Sequence, residues 1–179
     1  PVCEYFARVN SPLYLKAEER YTRASLGGTG YAKTASNYSV TLRPMNDSVE
    51  DGFDQILWLD GQEHRYVEEA GQMNMFFRLG DSVVTPDLSG TILPGVTRES
   101  VLTLLGDMGI TATERRLSMD ELFQAQTEGE LYEAFGAGTA SVVVPIGRIR
   151  HQEDELCFPD EQSGNLCPKL YDRILGIQH

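Results

Sequence analysis

The sequence predicts a mixed α/β domain rich in strands, and three local patterns carry that reading. Strand-like runs flank Asp60-Gly61, a dipeptide favoured in type I′ hairpin turns, with "FDQILWL" on one side and "HRYVEEAG" on the other. A second pair, "MNMFFRL" and "SVVTP", flanks Gly80-Asp81. Val101, Leu102, Leu104, Leu105 and Met108 then recur at helical spacing, with Gly109 placed to end the helix. Strand and helix signals alternate irregularly along the chain, as in a mixed architecture.

From the beginning, residues 1–15, "PVCEYFARVNSPLYL", have two prolines and no periodicity, and read as a linker. "KAEERYTRA" reads as a short helix or extended arm, followed by a glycine-rich loop at 27–34. A helix is predicted over 36–49, with Ser36 and Asn37 as cap residues and Pro44 kinking it or ending it early. After the strand-rich stretch and the helix that Gly109 closes, "ITATERRLS" is a strand. "SMDELFQAQTEG" is a helix opened by a capping box, Ser118 with Glu121 three residues on. "ELYEAFGAGTASVVVPIGRI" reads as two strands joined by small residues, and "CPKLYDRILGIQ" as an amphipathic helix.

A chain of 179 residues suits one domain with a substantial core. Acidic residues outnumber basic ones by 27 to 15, for a formal charge of -12 without long single-sign blocks. That balance argues against a nucleic-acid or anionic-membrane surface and for a small ligand or a protein as partner. Cys3, Cys157 and Cys167 have no CxxC spacing, so neither a disulfide framework nor a metal site is expected. Reduced thiols and a cytoplasmic location are the expectation. No run approaches the roughly 20 apolar residues of a membrane helix, and no secretory signal is recognisable.

"GGTGYAKT" at 27–34 raises the question of a phosphate-binding loop. A P-loop places glycine directly before the lysine so that backbone N–H groups can wrap phosphates; Ala32 stands there instead. Three further islands, "YVEEAGQMN", "ILPGVTRES" and "EAFGAGTAS", sit where one element hands over to the next. Gly95-Val96-Thr97 precede a helix, whose free N–H groups suit an anion. Gly136, Gly138 and the Thr139 hydroxyl suit close approach to an anion as well. With a lysine and a carboxylate, the four islands describe a site for a phosphate-bearing cofactor.

The four islands, in this order and spacing, resemble the large C-terminal domain of branched-chain amino acid aminotransferases, the fold type IV pyridoxal phosphate enzymes. The resemblance runs from "PVCEYF" to "LYDRILGIQH" and implies a strand-rich pseudo-barrel with flanking helices. It implies that Lys33 forms the Schiff base with pyridoxal 5'-phosphate, that the Tyr38 hydroxyl holds the ring oxygen, and that Glu69 pairs with the pyridine nitrogen. It places the phosphate on the N–H groups of Val96 and Thr97 beside the Thr139 hydroxyl, the substrate carboxylate near Ala140, and Tyr5 in the substrate pocket. The implied activity is transamination between branched-chain or related hydrophobic L-amino acids and 2-oxoglutarate, in a homodimer.

Ala35 and Ser36 replace the two glycines usual between this lysine and the "NY" pair, and Gln72 replaces a smaller or hydroxyl residue. Both bear on substrate preference. The resemblance divides the chain into a linker remnant at 1–15 and a cofactor-binding domain at 16–179, without the smaller N-terminal domain that family members carry. An isolated large domain is expected to be inactive. The alternative reading is a cofactor-binding or non-catalytic module of a fold type IV enzyme with another amino acid substrate.

Overall fold

The computed structural model describes residues 11–158 and 165–178. Nine strands form one sheet among them: β1 (Leu13–Glu18), β2 (Gln55–Leu59), β3 (Val67–Ala70), β4 (Met73–Leu79), β5 (Ser82–Thr85), β6 (Ala112–Glu114), β7 (Leu131–Gly138), β8 (Val142–His151) and β9 (Asp154–Cys157). The neighbour order is β3-β2-β1-β8-β7-β4-β5-β6, and β3 also pairs with β4. That extra pairing closes β1, β2, β3, β4, β7 and β8 into a six-stranded barrel. Only β1 breaks the antiparallel pattern of the ring, running parallel to both β2 and β8.

The predicted hairpins form, with different turns. Gly80 and Asp81 make a two-residue connection, with Leu79 opposite Ser82 and Gly80 at φ +57°, a conformation open to glycine. Asp60-Gly61 does not make a type I′ turn. The connection runs over 60–66, and the Asp60 carboxylate organises it by accepting from the backbone N–H groups of Gln62, Glu63, Arg65 and Tyr66 at 2.8–3.2 Å. β1 begins inside the stretch read as linker, and "KAEERYTRA" is extended at its start rather than helical. Strand β9 lacks a sequence signal, because "DELC" offers one buried apolar side chain to a pattern search.

The helix expected over 36–49 is two helices, α1 (Ala35–Ser39) and α2 (Leu42–Glu50). Pro44 lies in the first turn of α2, where its missing N–H costs nothing, and its ring would clash with the carbonyl of residue 40, where the break occurs. Helix α3 (Val96–Asp107) ends as predicted: Gly109 has φ +72° and donates to Gly106, while Ile110 donates to Leu105, a Schellman arrangement. In α4 (Met119–Thr127) the Glu121 N–H donates to the Ser118 hydroxyl at 3.1 Å. Helix α5 (Leu166–Gln178) is held at its start by the buried Glu133 carboxylate, which accepts from the N–H groups of Leu166 and Cys167.

Strand alternation sorts the apolar residues into two cores. Met75 and Phe77 join Leu15, Leu57, Ile149 and Leu122 in one, while Phe76 and Phe135 turn the other way beneath α3 and α5. Their rings stack at 5.1 Å between centroids, next to Val101, Leu105 and Leu170. Packing on both faces leaves the strand ends and connecting loops to carry chemistry.

Candidate active site

Lys33 sits on the glycine-rich loop, exposed, and Asn37 gives that loop its shape. The buried Asn37 carboxamide donates to the carbonyls of Thr29 and Ala32, both at 2.8 Å, and accepts from the Thr29 hydroxyl at 2.9 Å. Neither Ser36 nor Asn37 is the cap of α1; Thr34 occupies that place, without a side-chain cap bond. Gly30 presses against the backbone of Thr91 so closely that any side chain there would collide with it. The loop bearing Lys33 is thereby fixed against the segment leading to α3.

Glu69 projects from β3 into this junction. Its Oε2 accepts from the Leu93 N–H at 3.0 Å, and its Oε1 lies 2.5 Å from Arg23 Nε. Both side chains are enclosed, with 2% of Arg23 and 4% of Glu69 exposed. The same guanidinium donates to the Thr91 carbonyl at 3.1 Å and reaches the Gly30 carbonyl. Burial pushes the Glu69 carboxyl up, to about 7, while Arg23, the Leu93 N–H and the Lys33 ammonium oppose that shift. With a guanidinium in contact, the ionised form is the one this geometry serves.

Asn74, paired with Glu69 across β3 and β4, continues the junction. Its Nδ2 donates to the Leu93 carbonyl at 2.9 Å, and its Oδ1 occupies the space a side chain on Gly95 would need. Gly95 therefore lets α3 begin directly beside Glu69. The N–H groups of Val96 and Thr97 lie in the first turn of this 12-residue helix, beyond reach of intrahelical carbonyls and at its positive end.

Tyr38 lies in α1, half-buried, and shares a cavity of about 140 Å³ with Gly71 and Gln72 of the β3–β4 turn. The β7–β8 turn carries Thr139 and Ala140, both exposed, and meets that same turn: a Cβ on Gly138 would stand 3.0 Å from the Gln72 carbonyl. Val142 takes φ +60°, strained for a β-branched residue, and the neighbouring Ser141 hydroxyl is buried without a hydrogen-bond partner. Lys33 on the glycine-rich loop, Tyr38 in α1, Glu69 near the end of β3, Val96 and Thr97 in the first turn of α3, and Thr139 and Ala140 on the β7–β8 turn thus lie toward one end of the barrel. Tyr5 lies outside the described residues.

These residues fit pyridoxal phosphate by the chemistry of their donors and acceptors. Unbonded helix N–H groups and the unpartnered hydroxyl of Ser141, two residues from Thr139, suit a phosphate, and each Glu69 oxygen retains acceptor capacity for a ring N–H. Sequence reasoning missed Arg23, Asn74 and the loop-shaping role of Asn37. One signal pointed to Arg23: paired glutamates inside an otherwise apolar strand demand a buried cation. Among the described residues no cluster suited to a metal ion occurs, and no helix is long and apolar enough to cross a membrane.

Comparison with known proteins bears on the fold and the family. The chain is 45% identical over 178 residues to branched-chain-amino-acid aminotransferase 2 of Bacillus subtilis, covering 99% of this chain and 49% of that protein. It is 42% identical to the branched-chain-amino-acid aminotransferase of Mycobacterium tuberculosis, covering 99% and 50%. The chain thus spans about half the length of these curated relatives. The solved T.th. branched-chain amino acid aminotransferase, complexed with N-(5'-phosphopyridoxyl)-L-glutamate, superposes with a TM-score of 0.77 at 26% identity, over 93% of this chain and 52% of that one. The Escherichia coli enzyme shares the fold with a TM-score of 0.82 at 22% identity, over 99% and 55%. The family model described as amino-transferase class IV matches residues 11–149, most of the sequence, and the chain belongs to that family.

Proposed function

We propose that this chain is the cofactor-anchoring part of an aminotransferase that moves the amino group of branched-chain or related hydrophobic L-amino acids to 2-oxoglutarate. The observation that carries the reading is the enclosed Arg23–Glu69 pair, set between the Lys33 loop and the open start of α3. Branched-chain aminotransferases among the relatives support the substrate class, and the glutamate adduct in the T.th. enzyme supports a glutamate-forming partner reaction.

Pyridoxal phosphate, when bound, supplies the electron sink that makes the substrate Cα–H acidic. Lys33 would hold that group at its aldehyde through the side-chain amine, with loss of water, and the amine, once released, would take up and return the proton at substrate Cα. Glu69, held ionised by Arg23, would accept the ring N–H and favour the protonated nitrogen. The Tyr38 hydroxyl would donate to the ring oxygen. The N–H groups of Val96 and Thr97 and the Thr139 hydroxyl would hold the phosphate, and the Ala140 backbone would meet the substrate carboxylate.

A smaller N-terminal domain, homodimer assembly and a cytoplasmic location complete the proposal, with the chain inactive without that domain. Added pyridoxal phosphate should give the near-visible absorbance of a lysine-bound cofactor, lost in Lys33→Ala. An unchanged spectrum in that variant refutes the lysine. Failure of the protein carrying this chain, with its N-terminal domain, to convert leucine and 2-oxoglutarate refutes the activity.

A further inference from the structure

A second cavity, of about 330 Å³, opens beside β3 away from the residues assigned to the cofactor. Its walls include Ala24, Leu26 and Ile92 as apolar surface, with Glu68, Ser89 and Arg116 as polar groups. Glu68 follows the period of two along the strand, so it points opposite to Glu69. Its Oε1 accepts from the Thr91 hydroxyl at 2.5 Å, while its Oε2 is buried with no hydrogen-bond partner. The residue is only 4% exposed, and an enclosed carboxylate oxygen without a donor is costly unless something supplies one.

The other charged groups narrow what that something is. Asp60, also in the wall, spends its carboxylate on backbone N–H groups, and Asp87, a third acid in the wall, is only half-buried, so Glu68 is the fully enclosed acid there that still needs a donor. Arg116 lies over the Tyr66 ring at 3.5 Å, and its nearest acids, Glu63 and Asp60, stand at 3.6 and 3.9 Å, beyond hydrogen-bond contact. It pairs with these two acids through Nη2 without donating a hydrogen bond to either, and its other N–H groups can still donate to a carboxylate. The cavity therefore combines a buried acceptor, a guanidinium and an aliphatic wall, within the lower range of small-ligand pockets.

We propose that this cavity is a second small-molecule site that takes a free aliphatic α-amino acid as its zwitterion, ammonium on Glu68, carboxylate on Arg116 and side chain against Ala24, Leu26 and Ile92. The occupant would lie next to the cofactor machinery, since Glu68 adjoins Glu69 and Ala24 adjoins Arg23. Thr91 joins the two sides, its hydroxyl donating to Glu68 and its carbonyl accepting from Arg23. The groups acting on Glu68 are Thr91, Glu69, Arg23 and Asp60, and burial pushes its carboxyl up to about 7. An ammonium arriving there below that pH releases a proton.

The test is a titration of the full chain with L-leucine, without pyridoxal phosphate, followed through backbone amide resonances. Saturable shifts are expected at Val67, Ser89 and Ile92. 3-Methylbutylamine and 4-methylpentanoate, each bearing one of the two charges, should bind about tenfold more weakly. Glu68→Gln and Arg116→Gln should weaken L-leucine by a similar factor. If either variant does not fold, the comparison of the three ligands on the unaltered chain decides. No saturable shift at those amides overturns the proposal, as does binding of either single-charge ligand as tight as that of L-leucine. Shifts confined to residues 33, 96 and 97 overturn it too, because they place leucine in the cofactor site.

Discussion

Arg23 Nε stands 2.5 Å from Glu69 Oε1 inside the protein, and the same guanidinium ties the Lys33 loop to the segment that starts α3. One cation thus sets the charge of the carboxylate and the position of the lysine. Arg23→Gln leaves a buried carboxylate without its counter-ion and should cost about 3–5 kcal/mol of stability. Arg23→Gln combined with Glu69→Gln should recover part of that loss, because a neutral pair needs no counter-ion. Urea unfolding of the three variants measures both effects, and an additive double variant contradicts the coupling.

In the complete enzyme, Glu69→Gln should retain cofactor yet lower kcat about a hundredfold, since an amide no longer favours the protonated ring. KM should change little. Single-turnover kinetics with leucine, read through the cofactor's absorbance, separates this from weaker binding. Unchanged turnover removes Glu69 from the role.

Asn37→Ala removes the carboxamide that shapes the glycine-rich loop, and it should cost roughly 1–3 kcal/mol. Amide hydrogen exchange should accelerate across residues 29–37 and not in β4 or β7. Uniform acceleration would mean that Asn37 supports the whole fold rather than the loop.

Glu68 gives a dependence on pH with a definite sign. Its carboxyl ordinarily titrates at 4.5, and burial raises it to about 7 in the folded chain. Between these values the folded state holds a proton that the unfolded state has lost, so this residue's contribution is full below about 4.5 and falls as pH rises through 7. Relative to Glu68→Gln, the unaltered protein should lose roughly 2–3 kcal/mol from pH 4.5 to pH 8. Parallel unfolding curves for the two proteins across that range would discard the raised carboxyl.

Local chemistry could be read from the order of residues. Gly80-Asp81 as a two-residue turn, Gly109 as the end of α3 and Ser118 with Glu121 at the start of α4 depend on neighbours within about five positions. The site islands were legible for the same reason, as small-residue handovers between elements, and so was the membership they suggested. Pairings across long separations were not. Closure of the barrel through β3 and β4, and the parallel pairing of β1 with both β2 and β8, depend on which strands meet once the apolar faces collapse. Arg23 looked like any surface arginine until folding removed water from around Glu69 and left the guanidinium as the compensating charge. The cavity behind Glu68 likewise exists only in three dimensions, because adjacent side chains on a strand face opposite ways and the walls that receive them come from distant segments.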